Sequence, residues 1–298
     1  MSSIGVCIPT YNRPEELERL LASIGMDAEV FVSDNGDYLT AEFRVRHPRV
    51  RFAGTGGPVV GMFANWNRAA RMADTEWLVV PSDDDIYFPG AFDRIRSAIA
   101  AHPQAEMLVF GHSIVGDAYE VSSTWSPPAQ ALSAPLGFER AMFGVDARMP
   151  SVLIRRSAME RLGFFDEGFV YAASDSDLMQ RALLACDTVF VPDVISGYRV
   201  WEGGATRATL ATQGWLADVD RWGARIEALL RAEPRYAGIA RRVRDELYAS
   251  NLLAGLALLR RNGERARCHE HFRQSRYPFG ARLGTQLRIM MQLARALV

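Results

Sequence analysis

The first 110 residues alternate between short apolar runs and stretches whose apolar residues recur three and four apart. Ile4 to Ile8 is apolar on both faces, the pattern of a strand buried on both sides. A polar turn follows, Pro9-Thr10-Tyr11-Asn12-Arg13. Pro14 suits the first position of a helix, and Glu15, Glu16 and Glu18 favour its positive end. Leu17, Leu20, Leu21 and Ile24 fall at i, i+3, i+4 and i+7, and Gly25 ends the helix. Ala28 to Val32 predicts a second strand, closed by Ser33-Asp34-Asn35-Gly36-Asp37. Val50 to Ala53 predicts a short third strand. The loop Gly54-Thr55-Gly56-Gly57-Pro58 then leads into a helix over about Val60 to Ala73. Trp77 to Ser82 is the next strand, Pro89 opens a helix through Phe92, Ile95 and Ile99, and Met107 to Gly111 is strand again. Such alternation argues for a parallel sheet covered by helices, with ligands bound beyond the carboxyl ends of the strands.

After residue 112 the pattern loosens, and Pro127, Pro128 and Pro135 break it into a connection expected to run over the active-site side. Ser151 to Ile154 predicts a strand, Ser174 starts a helix through Leu178, Ala182 and Leu183, and Val189 to Val191 is a short strand. Beyond about Arg207 the chain is rich in Arg, Ala and Leu, with helical spacing only. The expected division is 1–204 for the α/β part and 205–298 for a helical region.

Composition narrows the chemistry. The 298 residues are enough to bury a substantial core, and the net charge of −1 gives no field to draw in nucleic acid. Cys7, Cys186 and Cys268 are too scattered for a disulfide framework or a zinc site. No basic leader follows Met1 and no apolar run reaches the ~20 residues of a membrane span, so the expectation is a cytoplasmic protein. All 34 basic residues are arginine. A Walker-type phosphate loop and lysine Schiff-base chemistry are therefore excluded, and phosphate binding falls to Arg, backbone N–H groups or a metal.

Asp83-Asp84-Asp85 stands where the strand from Trp77 leaves the core. Three adjacent carboxylates repel one another unless a cation sits among them, and hard oxygen ligands suit Mg²⁺ or Mn²⁺, ions that commonly carry substrate phosphates. A solvated acidic turn is the plainer alternative. Ser174 with Asp177 three residues on is a helix-capping pattern, in which Asp175 is merely a favourable first-turn acid. At the far end, Leu283, Leu287, Met290, Met291, Ala294, Leu297 and Val298 recur at helical spacing, accompanied by Arg282, Arg288 and Arg295, with no acid after Glu270. Two readings stand there: a peripheral membrane or partner contact through 283–298, or a helix packed on its own domain.

Five stretches together resemble the family 2 glycosyltransferases, which have the GT-A fold. They are Cys7-Ile8-Pro9-Thr10-Tyr11-Asn12-Arg13-Pro14, Val32-Ser33-Asp34-Asn35-Gly36, Asn65-Trp66-Asn67-Arg68-Ala69, Ser82-Asp83-Asp84-Asp85-Ile86-Tyr87-Phe88-Pro89 and Phe164-Phe165-Asp166-Glu167 with Ser174-Asp175-Ser176-Asp177-Leu178 and Arg181. They cover roughly residues 3–204. The resemblance implies an α/β, GT-A-like nucleotide-binding domain with a mixed, mostly parallel sheet and a helical C-terminal extension.

It further implies inverting transfer of a sugar from a nucleoside-diphosphate sugar, with UDP or dTDP as the carrier, to a hydroxyl of a glycan or lipid-linked acceptor. The setting expected by analogy is bacterial surface polysaccharide or lipid-linked glycan synthesis, at the inner face of the plasma membrane. Asp34 would accept from the nucleotide base, Asp83 would face the ribose, Asp84 and then Asp85 would hold Mn²⁺ or Mg²⁺, and Asp175 would be the general base. Pro9, Thr10, Tyr11, Asn12, Arg13, Asn65, Arg68 and Arg199 would line the nucleotide-sugar, with Arg207 a further arginine for the diphosphate. Ser174 departs from the family's Glu, and Trp201 stands where many relatives have a metal-binding His. The alternatives are a nucleotidyltransferase, which the absence of lysine disfavours, and a sugar-nucleotide-binding protein without transferase activity.

Overall fold

The computed structural model describes residues 2–201 and 204–296. The chain divides into two units, one of 1–140, 146–167 and 181–201, the other of 141–145, 168–180 and 202–298. A single boundary at 204/205 would leave 141–145 and 168–180 with the first unit.

The first unit opens as the pattern predicts. β1 (Ile4–Thr10) is buried at every position. α1 (Pro14–Ile24) starts on Pro14, buries Leu17, Leu20, Leu21 and Ile24, and ends at Gly25, whose φ of +61° lies in the left-handed region that favours glycine. β2 (Glu29–Asp34), α2 (Ala41–Arg46), β3 (Val50–Gly54), α3 (Met62–Met72) and β4 (Trp77–Val79) follow, then β5 (Ile86–Tyr87), α4 (Ala91–Ala101) and β6 (Met107–Val115). β7 (Val121–Trp125), β8 (Gln130–Leu132), β9 (Val152–Arg155), α5 (Arg156–Leu162), α6 (Ser174–Ala185) and β10 (Thr188–Arg199) complete this stretch.

All ten strands form one sheet, ordered β3-β2-β1-β4-β9-β6-β10-β5, with β7 on β6 and β8 on β10. From β3 to β4 the sheet is parallel, and β6 pairs in parallel with β10. β9 runs antiparallel between β4 and β6. Counted by paired residues, the sheet is mixed and mostly parallel. One face is covered by α1 and α4, where Val6, Ile8, Leu17, Leu20, Trp77, Phe92, Ile95 and Phe110 build the core.

The 112–150 stretch is less irregular than expected, since β6 runs to Val115 and β7 and β8 add edge ladders. The short strand expected at 189–191 is the start of a 12-residue one. Pro192 interrupts its apolar run, and the pairing resumes after a bulge between Val191 and Val194.

The second unit is helical, as expected from its spacing: α7 (Ala205–Thr209), α8 (Gln213–Ala232), α9 (Ala240–Arg261), α10 (Arg265–Gln274) and α11 (Leu283–Arg295). α9 is the hub against which α8, α10 and α11 pack. Leu216, Val219, Trp222 and Ile226 of α8 and Leu247, Leu252 and Leu256 of α9 are buried there. Glu246 of α9, fully buried, ties down the start of α11 by accepting from the Arg282 N–H (2.7 Å), Arg282 Nε (2.8 Å) and Thr285 Oγ1 (2.6 Å). Leu297 and Val298 lie outside the described residues. Among the described residues no helix is long and apolar enough to cross a membrane.

Candidate active site

Parallel pairing of β1 with β2 and β4 brings the turns after Thr10, Asp34 and Val79 to one edge of the sheet. There the 10–13 turn meets the acidic triplet. Thr10 Oγ1 donates to Asp83 Oδ2 at 2.8 Å, and the Tyr11 N–H donates to the same carboxylate. Arg13 Nη1 lies 2.9 Å from Asp84 Oδ2 and 3.2 Å from Asp83 Oδ1. Asn12, with a φ of +51°, turns the backbone between them. Asp84 Oδ2 also accepts from the Trp201 indole Nε1 at 3.0 Å. The guanidinium groups of Arg13 and Arg199 each lie 5.5 Å from the Trp201 ring centre. Trp201 therefore does what a hydrogen-bond donor and cation platform can do, and no metal-ligand role is open to it.

The three carboxylates are almost fully buried. Burial pushes Asp83 up to about 7 despite the neighbouring Arg13 charge, and Asp84 adds to the rise. Burial, and then Asp84, hold Asp85 well above the ordinary carboxylate range. For Arg13, burial disfavours the charge, but Asp83 and Asp84 outweigh it and the net shift is upward.

These bonds decide how a divalent ion would fit. Asp85, expected as a second metal ligand, instead accepts from the Ser82 N–H (2.8 Å) and the Arg199 N–H (3.2 Å), one on each oxygen. Asp83 is engaged by Thr10, Tyr11 and Arg13. Asp84 accepts from Arg13 Nη1 and from the Trp201 indole on one and the same oxygen, Oδ2. Among the described residues no group of three or more His, Cys, Asp or Glu side chains is disposed to hold a metal. The donor set fits an ion bound by Asp84 and completed by diphosphate and water, and does not fit an all-protein cage.

The other expected residues separate into those that face the site and those that build it. Asp34 is buried, with Oδ1 accepting from the Tyr38 N–H (3.0 Å) and Oδ2 from the Leu39 N–H (2.9 Å) and Arg44 Nη2 (3.0 Å). It shapes the turn after β2 and presents no solvent-facing oxygen to a nucleotide base. Asn65 bridges β1 and β2, donating to the Thr10 and Ser33 carbonyls at 3.3 and 3.2 Å. Arg68 donates to the Gly54 carbonyl at the end of β3. Both sets of bonds end on carbonyls at the carboxyl ends of β1, β2 and β3. Asn67, on another side of the same helix, clasps Phe165 through its N–H (3.0 Å) and its carbonyl (2.9 Å). The Arg199 guanidinium stacks 5.1 Å from the Tyr119 ring centre and 3.6 Å from Glu16.

Two features are not expected from the sequence: the pairing of Tyr38 with the expected Tyr11, and the role of Asp218. Tyr11 and Tyr38, both about half exposed, meet edge to face at 5.3 Å on the loops that follow β1 and β2. An exposed Tyr directly after an Asn-Gly-Asp turn was the only local signal for Tyr38. In the second unit, Asp218 Oδ2 gathers three backbone N–H groups, those of Val170 (3.0 Å), Tyr171 (2.6 Å) and Ala172 (3.0 Å). That carboxylate fixes the loop leading into α6. Asp175, the second residue of α6, is half-buried and accepts from the Ser176 N–H at 2.7 Å. Asp177, read from the sequence as a cap, is fully buried and pairs with Arg225 at 3.0 Å.

Residues 5–163 match the family model described as Glycosyl transferase family 2. No curated protein matches by sequence. Solved structures of the same fold include S. aureus TarS, 18% identical, with 88% of this chain covering 45% of that one at a TM-score of 0.63. The chain thus spans under half of that protein. TarS residues 1–349 in complex with UDP-GlcNAc are 17% identical, covering 99% of this chain and 80% of that one, at a TM-score of 0.65. The mannosyltransferase PcManGT from Pyrobaculum calidifontis, in complex with GDP-Man and Mn²⁺, is 15% identical, covering 99% of this chain and 87% of that one, at a TM-score of 0.55.

Proposed function

The chain belongs to glycosyl transferase family 2, and on that premise we propose that it transfers a sugar from a nucleoside-diphosphate donor to a hydroxyl acceptor with inversion. The observation that carries the reading is the Arg13–Asp83–Asp84–Trp201 cluster at the carboxyl ends of β1 and β4, which combines a fixed cation with carboxylates beyond the sheet. Structures of this fold hold UDP-GlcNAc and GDP-Man, which supports a nucleotide-sugar donor here.

The residues take the following roles in this proposal. The exposed Tyr11–Tyr38 pair stacks on the nucleotide base, since aromatic stacking tolerates any base and needs no buried acceptor. Arg13 stays charged at all working pH values and meets the diphosphate while balancing Asp83 and Asp84. Asp84 is the ligand for Mn²⁺ or Mg²⁺, with Asp85 as the buried support that positions its turn. When bound, the ion supplies positive charge against the leaving diphosphate. Asp175, carried by the motif at the start of α6, accepts the proton of the attacking hydroxyl. An acid there is partly exposed, as proton transfer to substrate requires. A lipid-linked or glycan acceptor and a role in bacterial surface polysaccharide remain part of the proposal by analogy.

Thermal-shift measurement with UDP-, dTDP- and GDP-sugars, each with and without Mn²⁺, tests the reading. A shift with at least one donor that Mn²⁺ enlarges is expected. No shift with any donor would contradict it.

A further inference from the structure

α11 has two apolar faces. One packs on α9 through Thr285, Ile289 and Leu293, all buried. The other is outside: Leu283 is 71% exposed, Leu287 55%, and Met290 and Met291 49% each, with Phe279, 76% exposed, in the loop just before the helix. The stripe that the sequence left open between core and surface is therefore not the core face. Four large apolar side chains on adjacent turns, left in water beside a helix already packed on its other side, mark an interaction surface.

Its charge names the partner. After Glu270 the chain carries Arg273, Arg276, Arg282, Arg288 and Arg295 and no acidic side chain. Arg276 is neutralised by Asp220 and Asp245, and Arg282 by Glu246. Arg288 and Arg295 are exposed, with no carboxylate partner among the described residues. At about 100° per residue they sit on one flank of the stripe, roughly 100–120° from its centre. Apolar side chains bordered by arginine heads match the acyl boundary and the phosphates of an anionic bilayer. A second copy of the chain fits less well. A second copy of this chain would offer the same arginine-flanked stripe and no carboxylate for Arg288 and Arg295.

We propose that α11 and the Phe279 loop form a peripheral docking surface for an anionic lipid bilayer, with Leu283, Leu287, Met290 and Met291 entering the interface and Arg288 and Arg295 remaining at the lipid phosphates. The Glu246–Arg282 anchor keeps the helix fixed to α9 while it does so. Lipid binding by this surface does not require sugar transfer.

Co-sedimentation of the full chain with sucrose-loaded vesicles tests it, using phosphatidylcholine alone and phosphatidylcholine with phosphatidylglycerol. Binding to the anionic vesicles, weakened by high salt, is expected. Leu287→Ser with Met290→Ser lowers partitioning about tenfold or more. Arg288→Gln with Arg295→Gln lowers it roughly 25-fold on anionic vesicles and leaves neutral ones unchanged. Both double variants keep the parent's melting temperature, because the altered side chains are exposed. Absence of binding to anionic vesicles, or variants that bind like the parent, would overturn the proposal. A concentration-dependent dimer that Leu287→Ser with Met290→Ser dissolves, with no vesicle binding, would assign the stripe to a second copy instead.

Discussion

Arg13→Met should raise the affinity of the acidic cluster for Mn²⁺ while weakening the fold in the absence of metal. The guanidinium lies 2.9 Å from Asp84 and 3.2 Å from Asp83, where it already supplies the positive charge that the carboxylates need. Two unit charges about 4 Å apart interact by about 4 kcal/mol at an effective dielectric of 20 and about 1 kcal/mol in water. The Arg13 side chain is 35% exposed, which screens it, so about 1–3 kcal/mol is the working range. Removing that charge ends its repulsion of an incoming cation, and Mn²⁺ affinity should rise about tenfold. The same substitution leaves two buried carboxylates without their cation, at a cost of roughly 2–3 kcal/mol to the apo fold. Titration calorimetry with Mn²⁺ alone reads the first effect. Melting curves with and without Mn²⁺ read the second, and the metal should stabilise the variant more than the parent. Arg13→Lys, which keeps the charge, should lie between them. An Mn²⁺ affinity for Arg13→Met equal to or below that of the parent would refute the idea that Arg13 and the ion compete for the same carboxylates.

Three further outcomes follow from other parts of the molecule. Asp175→Asn should cut turnover by roughly 10²–10⁴-fold and leave nucleoside-diphosphate affinity unchanged, as calorimetry beside transfer kinetics would show; unchanged turnover would reduce Asp175 to a first-turn helix acid. Tyr38→Ala should weaken nucleoside-diphosphate binding roughly tenfold and by a similar factor for UDP and GDP, because stacking does not read base edges; a loss confined to one base would point to hydrogen-bonded recognition. Glu246→Gln should cost about 2–3 kcal/mol at neutral pH. Burial alone would raise the Glu246 pKa, but the Arg282 and Thr285 hydrogen bonds prevail and hold it below the ordinary value. Its stabilising contribution is therefore present above the unfolded value of about 4.3 and lost as pH falls through the lower folded one. Denaturant curves of parent and variant should draw together as pH falls below the unfolded value and through the lower folded one, and a gap that stayed constant down to the acid limit of the fold would contradict the assignment.

The elements legible in the sequence were those whose cause is local. α1 carries its own start in Pro14, its charge preference in Glu15 and Glu16, its buried stripe in Leu17, Leu20, Leu21 and Ile24, and its stop in Gly25. β1 is apolar on both faces because neighbours and helices cover it fully. What escaped depends on pairing across distance. β9 reads as a strand, yet nothing in Val152–Arg155 announces that it inserts antiparallel between β4 and β6. The acidic triplet was conspicuous, but the division of labour within it was not. Asp85 is taken up by the N–H of Arg199, 114 residues away in sequence, and Asp84 by the indole of Trp201, 117 residues away. Trp201 read as the loss of a metal ligand, whereas in space it is a donor to Asp84. Asp34 and Asn65 are nucleotide contacts by resemblance alone; in the structure Asp34 accepts from the turn after β2, and Asn65, reaching from α3, donates to the carbonyls of Thr10 and Ser33.

The most direct measurement is release of nucleoside diphosphate from UDP-, dTDP- and GDP-sugars by the purified protein with Mn²⁺, compared with Asp84→Asn. Water can replace the missing acceptor, so slow donor hydrolysis is expected from the parent with at least one sugar nucleotide, and Asp84→Asn should reduce it by roughly 100-fold or more while the protein stays folded. Turnover that survives Asp84→Asn at the parent's rate and with the parent's Mn²⁺ dependence would contradict the site assigned here. No turnover with any donor, despite tight donor binding, would leave a sugar-nucleotide-binding protein in place of a transferase.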